Sequence, residues 1–140
     1  MFWVLSGPIK SWNISLKNNK WGVRNNDNLK YYWDKLSEDD FLFFYVTYPI
    51  SGIIGFGKFK IKYVQYRKLW DNKKIGVSNF PLRFDFDIIY ILPKDKWNKE
   101  KISLLGTRIN YRKGLNYCKN KEAINKLFNT IKIRWNFEYK

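Results

Sequence analysis

Histidine is absent from all 140 residues. That excludes imidazole general acid/base chemistry, the Ser-His and Cys-His nucleophile arrangements, and histidine metal sites. The single cysteine, Cys118, can build neither an internal disulfide nor a thiolate zinc site, and fits a reduced compartment. No apolar run approaches the length needed to span a bilayer. The opening MFWVLSGPIK lacks the charged start, long apolar centre and small-residue cleavage site of a signal peptide. The expectation is a soluble, cytoplasmic protein without membrane, metal or cofactor. Acidic residues are scarce: 12 Asp plus Glu against 27 Lys plus Arg give a formal net charge of +15 and a pI near 9.9. Such a field attracts polyanions, nucleic acid first among them. A compositional bias toward lysine and asparagine would give the same count with no partner. Internal repeats, heptads and low-complexity tracts are also missing, and the Gly52-Ile53-Ile54-Gly55-Phe56-Gly57 spacing is wrong for a dinucleotide fingerprint.

What is present is aromatic and apolar. Hydrophobic residues make up 45% and aromatics 20%, too much for a disordered chain and enough, at this length, for one domain over residues 1–140 with a core of its own. The densest stretch is Asp40 to Phe59. Phe41 to Val46 is a continuous apolar run, which predicts a central strand covered on both faces, followed by a turn at Tyr48 to Gly52 and a returning strand to Phe59. Gly55 and Gly57 fall on one face of that return, a place where a strand bares its backbone to a neighbour or a flat ligand.

The remaining elements follow from spacing and punctuation. Phe2 to Leu5 reads as a short strand stopped by Ser6-Gly7-Pro8, and Ile9 to Asn19 as a short helix with Ser11 as a possible cap. Trp21-Gly22-Val23-Arg24 sits between polar stretches, so Trp21 is either a core anchor or a ligand platform, with Gly22 freeing backbone beside it. Leu29, Tyr32, Trp33 and Leu36 stand at helical spacing behind a cap at Asp27 or Asn28, which favours the core for these aromatics. Lys58, Lys60 and Lys62 alternate with apolar residues and form either a solvated face or a phosphate stripe. Tyr66 to Lys74 is a basic loop around Trp70, the arrangement in which bases stack on a ring while Arg67 and Lys68 follow phosphates.

From Leu82 to Ile91 the period is two, with Leu82, Phe84, Phe86 and Ile88 inward and Arg83, Asp85 and Asp87 outward. Two carboxylates at i and i+2 could hold a divalent cation for nuclease chemistry, but a self-satisfied row of surface charges explains them more simply. Lys94 to Leu105 reads as a basic amphipathic helix ended by Gly106. Arg108, Arg112 and Lys113, with Tyr111, form a second phosphate-binding candidate. A clear helix starts at Asn120 or Lys121 with Ile124, Leu127, Phe128 and Ile131 as its buried stripe, and Ile133 to Phe137 reads as a last strand or tail.

The ordered set Trp21-Gly22-Val23, Phe44-Tyr45-Val46 and Gly55-Phe56-Gly57, followed by the Trp70 loop and the Pro81-led strand, resembles an EVE domain over roughly residues 1 to 132. That family belongs to the PUA-like superfamily and is related to YTH domains. The resemblance implies an α+β fold, a strongly curved β-barrel of about five or six strands with peripheral helices, and no catalytic machinery. It implies a binding domain for a modified, methylated base in single-stranded or flipped-out RNA or DNA, acting as a monomer. Carried over by position, the base-binding residues are Trp21, Gly22 and Trp70, with Ser6, Trp12 and Asn13 at the rim. Apart from the resemblance, the basic residues of the sequence give Arg24, Arg67, Lys68, Arg108, Arg112 and Lys113 as the phosphate-binding candidates. The competing expectation is a general PUA-type RNA-binding domain that works through basic surfaces without selectivity for a modification.

Overall fold

In the computed structural model, residues 1–68 and 79–137 are described. The chain runs β1 (Phe2–Gly7), α1 (Ile9–Asn18), β2 (Lys20–Val23), α2 (Asp27–Lys35), β3 (Phe41–Val46), β4 (Gly52–Val64), β5 (Leu82–Ile91), α3 (Trp97–Glu100), β6 (Leu115–Cys118) and α4 (Lys121–Trp135). The strands form one sheet in the order β2-β5-β4-β3-β1-β6, curled into a half-barrel, with β1 and β3 parallel and every other pair antiparallel. This is the expected α+β architecture of six curved strands with helices around them.

The apolar run of β3 is central, as its lack of alternation predicts. It lies between β1 and β4, and Leu42 to Val46 are buried without exception. Its two faces serve different halves of the core. Phe44 packs on Trp12 of α1 and Phe86 of β5 inside the curl. Phe41 and Phe43 turn outward to Phe2 and to Phe128 of α4. A sheet carrying rings on both faces needs helices on both, and α1 and α4 supply them.

Curvature comes from register shifts between Phe44 and Tyr45, between Phe56 and Gly57, and between Phe59 and Ile61. Gly55 and Gly57 belong to this device and are not the bare floor of a pocket. A Cβ on Gly57 would strike the Asp87 carbonyl and one on Gly55 the Tyr90 carbonyl, both on β5. The period-2 reading therefore found a real close approach, but of a neighbouring strand, not of a ligand.

A buried carboxylate fixes the other end of β3. Asp40, 5% exposed, accepts from the Trp3 indole at 2.9 Å, the Ser37 amide at 3.0 Å and the chain's terminal ammonium at 3.1 Å. Three donors compensate the desolvation that would otherwise exclude this charge from the core.

Several sequence expectations shift. The cap of α2 is Asn26, which accepts from Leu29, and α1 starts after Pro8 with Ser11 buried inside it. Lys94 to Leu105 is not one helix: a 3-10 turn and α3 end at Glu100, and Ile102 bridges to Ile53 instead. Gly106 holds a positive φ in a loop, with no helix to cap. β6 was hidden in the basic segment after Arg112. The last helix runs on through Ile133 to Trp135, whose indole donates to the Glu100 carbonyl at 2.7 Å, so no final strand forms there. Lys62, expected on a solvated or phosphate-binding face, caps α2 by donating to the carbonyls of Trp33, Asp34 and Leu36.

Gly57→Ala is expected to lower stability by about 1–3 kcal/mol or more, because the obstacle is backbone and cannot rotate away; a denaturant midpoint that fell without a change in slope would register it, and an unchanged midpoint would refute the close-approach account. Cys118 is 6% exposed, and burial pushes its thiol up to about 12. Thiolate, the reactive species, is therefore scarce at neutral pH. Alkylation by iodoacetamide at pH 8 should be far slower in the folded protein than in denaturant, which mass spectrometry would read directly.

Candidate nucleic-acid interface

The two edge strands of the curled sheet, β2 and β6, come together at one carbonyl. Gly114, just before β6, accepts from the Ser6 amide of β1 at 3.3 Å and from the Trp21 indole of β2 at 3.1 Å. Trp21 thus spans the seam. Gly7 lets it in: a Cβ there would stand 2.7 Å from the indole Cη2. Behind Trp21 lies Trp12, with ring centroids 4.3 Å apart and planes 27° from parallel.

A concavity of about 230 Å³ opens at this seam. Its wall takes Ser6 and Gly7 from the end of β1, Ser11 from α1, Trp21 and Gly22 from β2, and Phe80 from the approach to β5. That is below the 300–1,000 Å³ usual for drug-sized ligands and suits a single flat ring better than a whole nucleotide. Larger hollows exist among the described residues, one of them of about 280 Å³ walled by residues 26–29 with Lys113 and Gly114. The one between α4 and residues 102–108, about 440 Å³, has no aromatic side chain in its wall, and its Glu122 pairs with Lys126. Another, about 460 Å³, lies beside Tyr45 and Tyr111.

The base-binding expectations divide across this geometry. Ser6, Trp21 and Gly22 meet in the seam pocket. Trp12 is fully buried and donates its indole N–H to the Tyr45 carbonyl at 2.8 Å, so it backs Trp21 and offers no surface of its own to a base. Asn13 stands half-exposed on α1, outside the pocket wall. Trp70 lies outside the described residues. Trp21 retains 2% exposure, with one face on Trp12. A base can stack on the opposite face only after a neighbouring group moves aside.

Gly22 does not simply leave backbone bare. A Cβ there would meet Arg83 Cδ and the Phe80 carbonyl, each at 2.9 Å. The missing side chain makes room for Arg83, which the alternation of β5 placed outward but which is only 3% exposed. Its Nε donates to the Phe80 carbonyl at 2.8 Å, and its Nη2 donates to the Arg67 carbonyl. One guanidinium therefore ties the end of the β4 side to the start of the β5 side, and holds the Phe80 wall of the pocket. A charge this deep needs such oxygen partners. Periodicity missed Arg83 because its fork reaches carbonyls along the strand edge, which a face assignment does not register.

The phosphate candidates are dispersed. Arg24 is exposed beside the pocket, its guanidinium 5.2 Å from the Phe80 ring centroid. Arg67 is exposed and Lys68 half-buried where β4 leaves the sheet. Arg112 and Lys113 lie on the turn into Gly114, fixed by Asn110 and by the buried Asn116, which accepts from the Lys113 amide at 3.0 Å and donates to its carbonyl at 2.6 Å. Arg108 lines the hollow beside α4 instead. Arg24, Arg112 and Lys113 flank the seam; Arg108 does not.

The carboxylates of β5 are engaged. Asp85 accepts from Lys20 at 2.9 Å and from the Tyr63 hydroxyl at 2.7 Å, and Asp87 pairs with Lys60 at 3.6 Å. The Asp85 hydrogen bond, with that to Tyr63 behind it, raises the Lys20 pKa, while burial, then the bond to Asp85, raises that of Tyr63. Among the described residues no three metal-ligating side chains converge.

No protein-family model and no curated protein matches the sequence. Solved structures do match. A Rhodopseudomonas palustris protein solved by NMR aligns over 99% of this chain and 95% of its own, with a TM-score of 0.61 at 15% identity. The YTH domain-containing protein mmi1, solved in complex with RNA, aligns over 97% of this chain and 86% of its own, at TM-score 0.56 and 13% identity. The chain shares its fold with YTH domains. A hypothetical protein from Leishmania major has it too, covering 94% of this chain and 95% of its own at TM-score 0.54 and 16% identity.

Arg83→Met keeps the bulk of the side chain and removes both donors. The carbonyls of Phe80 and Arg67 then lose the guanidinium's hydrogen bonds, at a cost of about 1–3 kcal/mol, and trypsin should cleave between residues 68 and 79 faster than in the parent protein at a temperature where both remain folded. Equal cleavage rates would mean that Arg83 does not hold these stems.

Proposed function

We propose that this protein is a non-catalytic nucleic-acid-binding domain of EVE type, which receives a modified base of a single-stranded or flipped-out segment in the seam pocket formed by Ser6, Trp21 and Gly22. The observation that carries the reading is the pocket itself: a ring-sized hollow beside an indole, at the one place where the curled sheet closes, flanked by Arg24, Arg112 and Lys113. Support comes from the net charge of +15, from the fold in common with an RNA-bound YTH protein, and from the motif resemblance that puts Trp21 and Trp70 in an aromatic cage.

Stacking on aromatic rings supplies about 1–3 kcal/mol per base. A buried methyl adds only about 0.8 kcal/mol, roughly fourfold. Stronger preference for a mark requires that it change a polar contact, leaving the unmodified base with a group the pocket does not satisfy.

A second reading has its own observation. Trp21 is closed over in this structure and the cations lie on several faces, which suits a general RNA-binding surface with no base in the pocket.

Titrating matched single strands, with and without one N6-methyladenine, 5-methylcytosine or 5-hydroxymethylcytosine, at about 50 and 200 mM salt separates the two. The pocket reading expects a preference for one mark that persists as salt weakens both affinities, and loss of that preference in Trp70→Ala with the melting temperature kept. Identical affinities for every member of the panel would leave only the general surface.

A further inference from the structure

Beside the seam pocket lies a second hollow that the base-pocket reading does not use. Its wall is built from Tyr45 at the end of β3, Tyr48 of the following turn, Leu105, Tyr111 and Arg112. Tyr111 stacks on Tyr45 with ring centroids 4.5 Å apart and planes 23° from parallel. Tyr48 is 88% exposed and Leu105 83% exposed, large apolar side chains held out to solvent around one bowl. Its polar lining is hydroxyl from Thr47, Ser51 and Ser103 with the Arg112 cation, and no carboxylate lines it.

This bowl and the seam pocket share a border. β1 and β3 run parallel in a register that sets Ser6, of the seam pocket, beside Tyr45, of the bowl. The Thr47 amide donates to the Gly7 carbonyl at 3.0 Å across the same border. On the other side the chain passes directly from Tyr111 and Arg112 in the bowl to Gly114 in the seam pocket. The connecting turn is held from both ends, by Asn110 on the Arg112 amide and by Asn116 on Lys113. One exposed and one half-buried tyrosine ring, a cation carried on a fixed turn and no opposing acid among the described residues are the chemistry of a base with its phosphate.

We infer that the Tyr48/Tyr111/Arg112 bowl is a second nucleotide subsite, which stacks the base neighbouring the one in the seam pocket and places its phosphate on Arg112. The assignment rests on the base-pocket reading for its register along the strand. It makes the domain a reader of a short single-stranded segment, with the marked base at one end of a two-hollow track and a sequence-tolerant stacking step at the other.

The test uses the full chain and graded single strands, mononucleotide to tetranucleotide, unmodified and with one N6-methyladenine. Affinity should rise with the first added nucleotides. Tyr48→Ala and Tyr111→Ala should each remove about tenfold of that gain, and Arg112→Gln should lower the slope of log affinity against log salt by about one. Mononucleotide affinity should not change in either tyrosine variant. Tyr48 is exposed enough that its variant folds whatever becomes of Tyr111→Ala. A length gain that survives both tyrosine variants overturns the subsite, as does equal sensitivity to them of an acidic polyglutamate peptide. If the parent protein does not distinguish modified from unmodified mononucleotide, the modified-base reading fails, while loss of the length gain in Tyr48→Ala still supports the bowl as a nucleotide site.

Discussion

The architecture hangs on the carbonyl of Gly114. A six-stranded sheet that curls must bring its edges together, and unsatisfied edges invite pairing with other chains. Here a tryptophan side chain makes the closure across the seam: the Trp21 indole of β2 and the Ser6 amide of β1 converge on that one oxygen. Gly7 must remain a glycine for the ring to enter, and Trp12 must back it. The register shifts in β4 and the glycines that permit them bend the sheet far enough for the closure to happen.

Because the same tryptophan bridges the seam and walls the pocket, structure and the proposed recognition are coupled. With one face on Trp12 and its N–H on Gly114, the ring has little freedom, which lowers the ordering cost of stacking a ligand on it. The coupling has a second consequence. Any change that frees Trp21 loosens the seam, so Trp21 itself is a poor place to separate binding from stability. Arg83 is the complementary constraint, since it fixes Phe80 through a carbonyl and fills the space that Gly22 leaves.

The central strand, α2, α4 and the α+β class were legible in the sequence because each is set by a local period: an unbroken apolar run, or apolar residues at helical spacing. What periodicity could not deliver were pairings between distant residues. β6 is four residues inside a basic segment and exists because β1 needs a neighbour. Arg83 reads as outward by alternation, yet its guanidinium turns along the edge to carbonyls that precede it by three and sixteen residues. Gly55 and Gly57 were correctly seen as sites of close approach, but the approaching atom was β5 backbone. The motif Trp21-Gly22-Val23 pointed to the pocket; nothing local in Gly7, Phe80 or Gly114 could have shown that they share it. Trp12, given a rim position by the resemblance, proves to be the wall behind the wall.

Charge and shape then act on different properties of binding. The field of the excess cations is long-ranged and screened by salt, so in the proposed function it would bring single strands to the surface with little regard to sequence. The seam pocket is ring-sized, and in the proposed function would act at short range on one base at a time. Stacking alone is tolerant, because every base has a π-face. In the proposed function discrimination would therefore come from the rim of the ring, where Ser6, Ser11, Arg24 and the backbone around Gly22 are polar groups of the wall. A site that satisfies the polar edge of a marked base and leaves an unmarked one short of a partner gains more than the contact area of a methyl can give, since an unpaired buried polar group costs about 1–3 kcal/mol while the methyl adds about 0.8 kcal/mol. The physical weight of selectivity in such a pocket would thus fall on its few polar groups, and stacking on the indole would provide the affinity on which that selectivity acts.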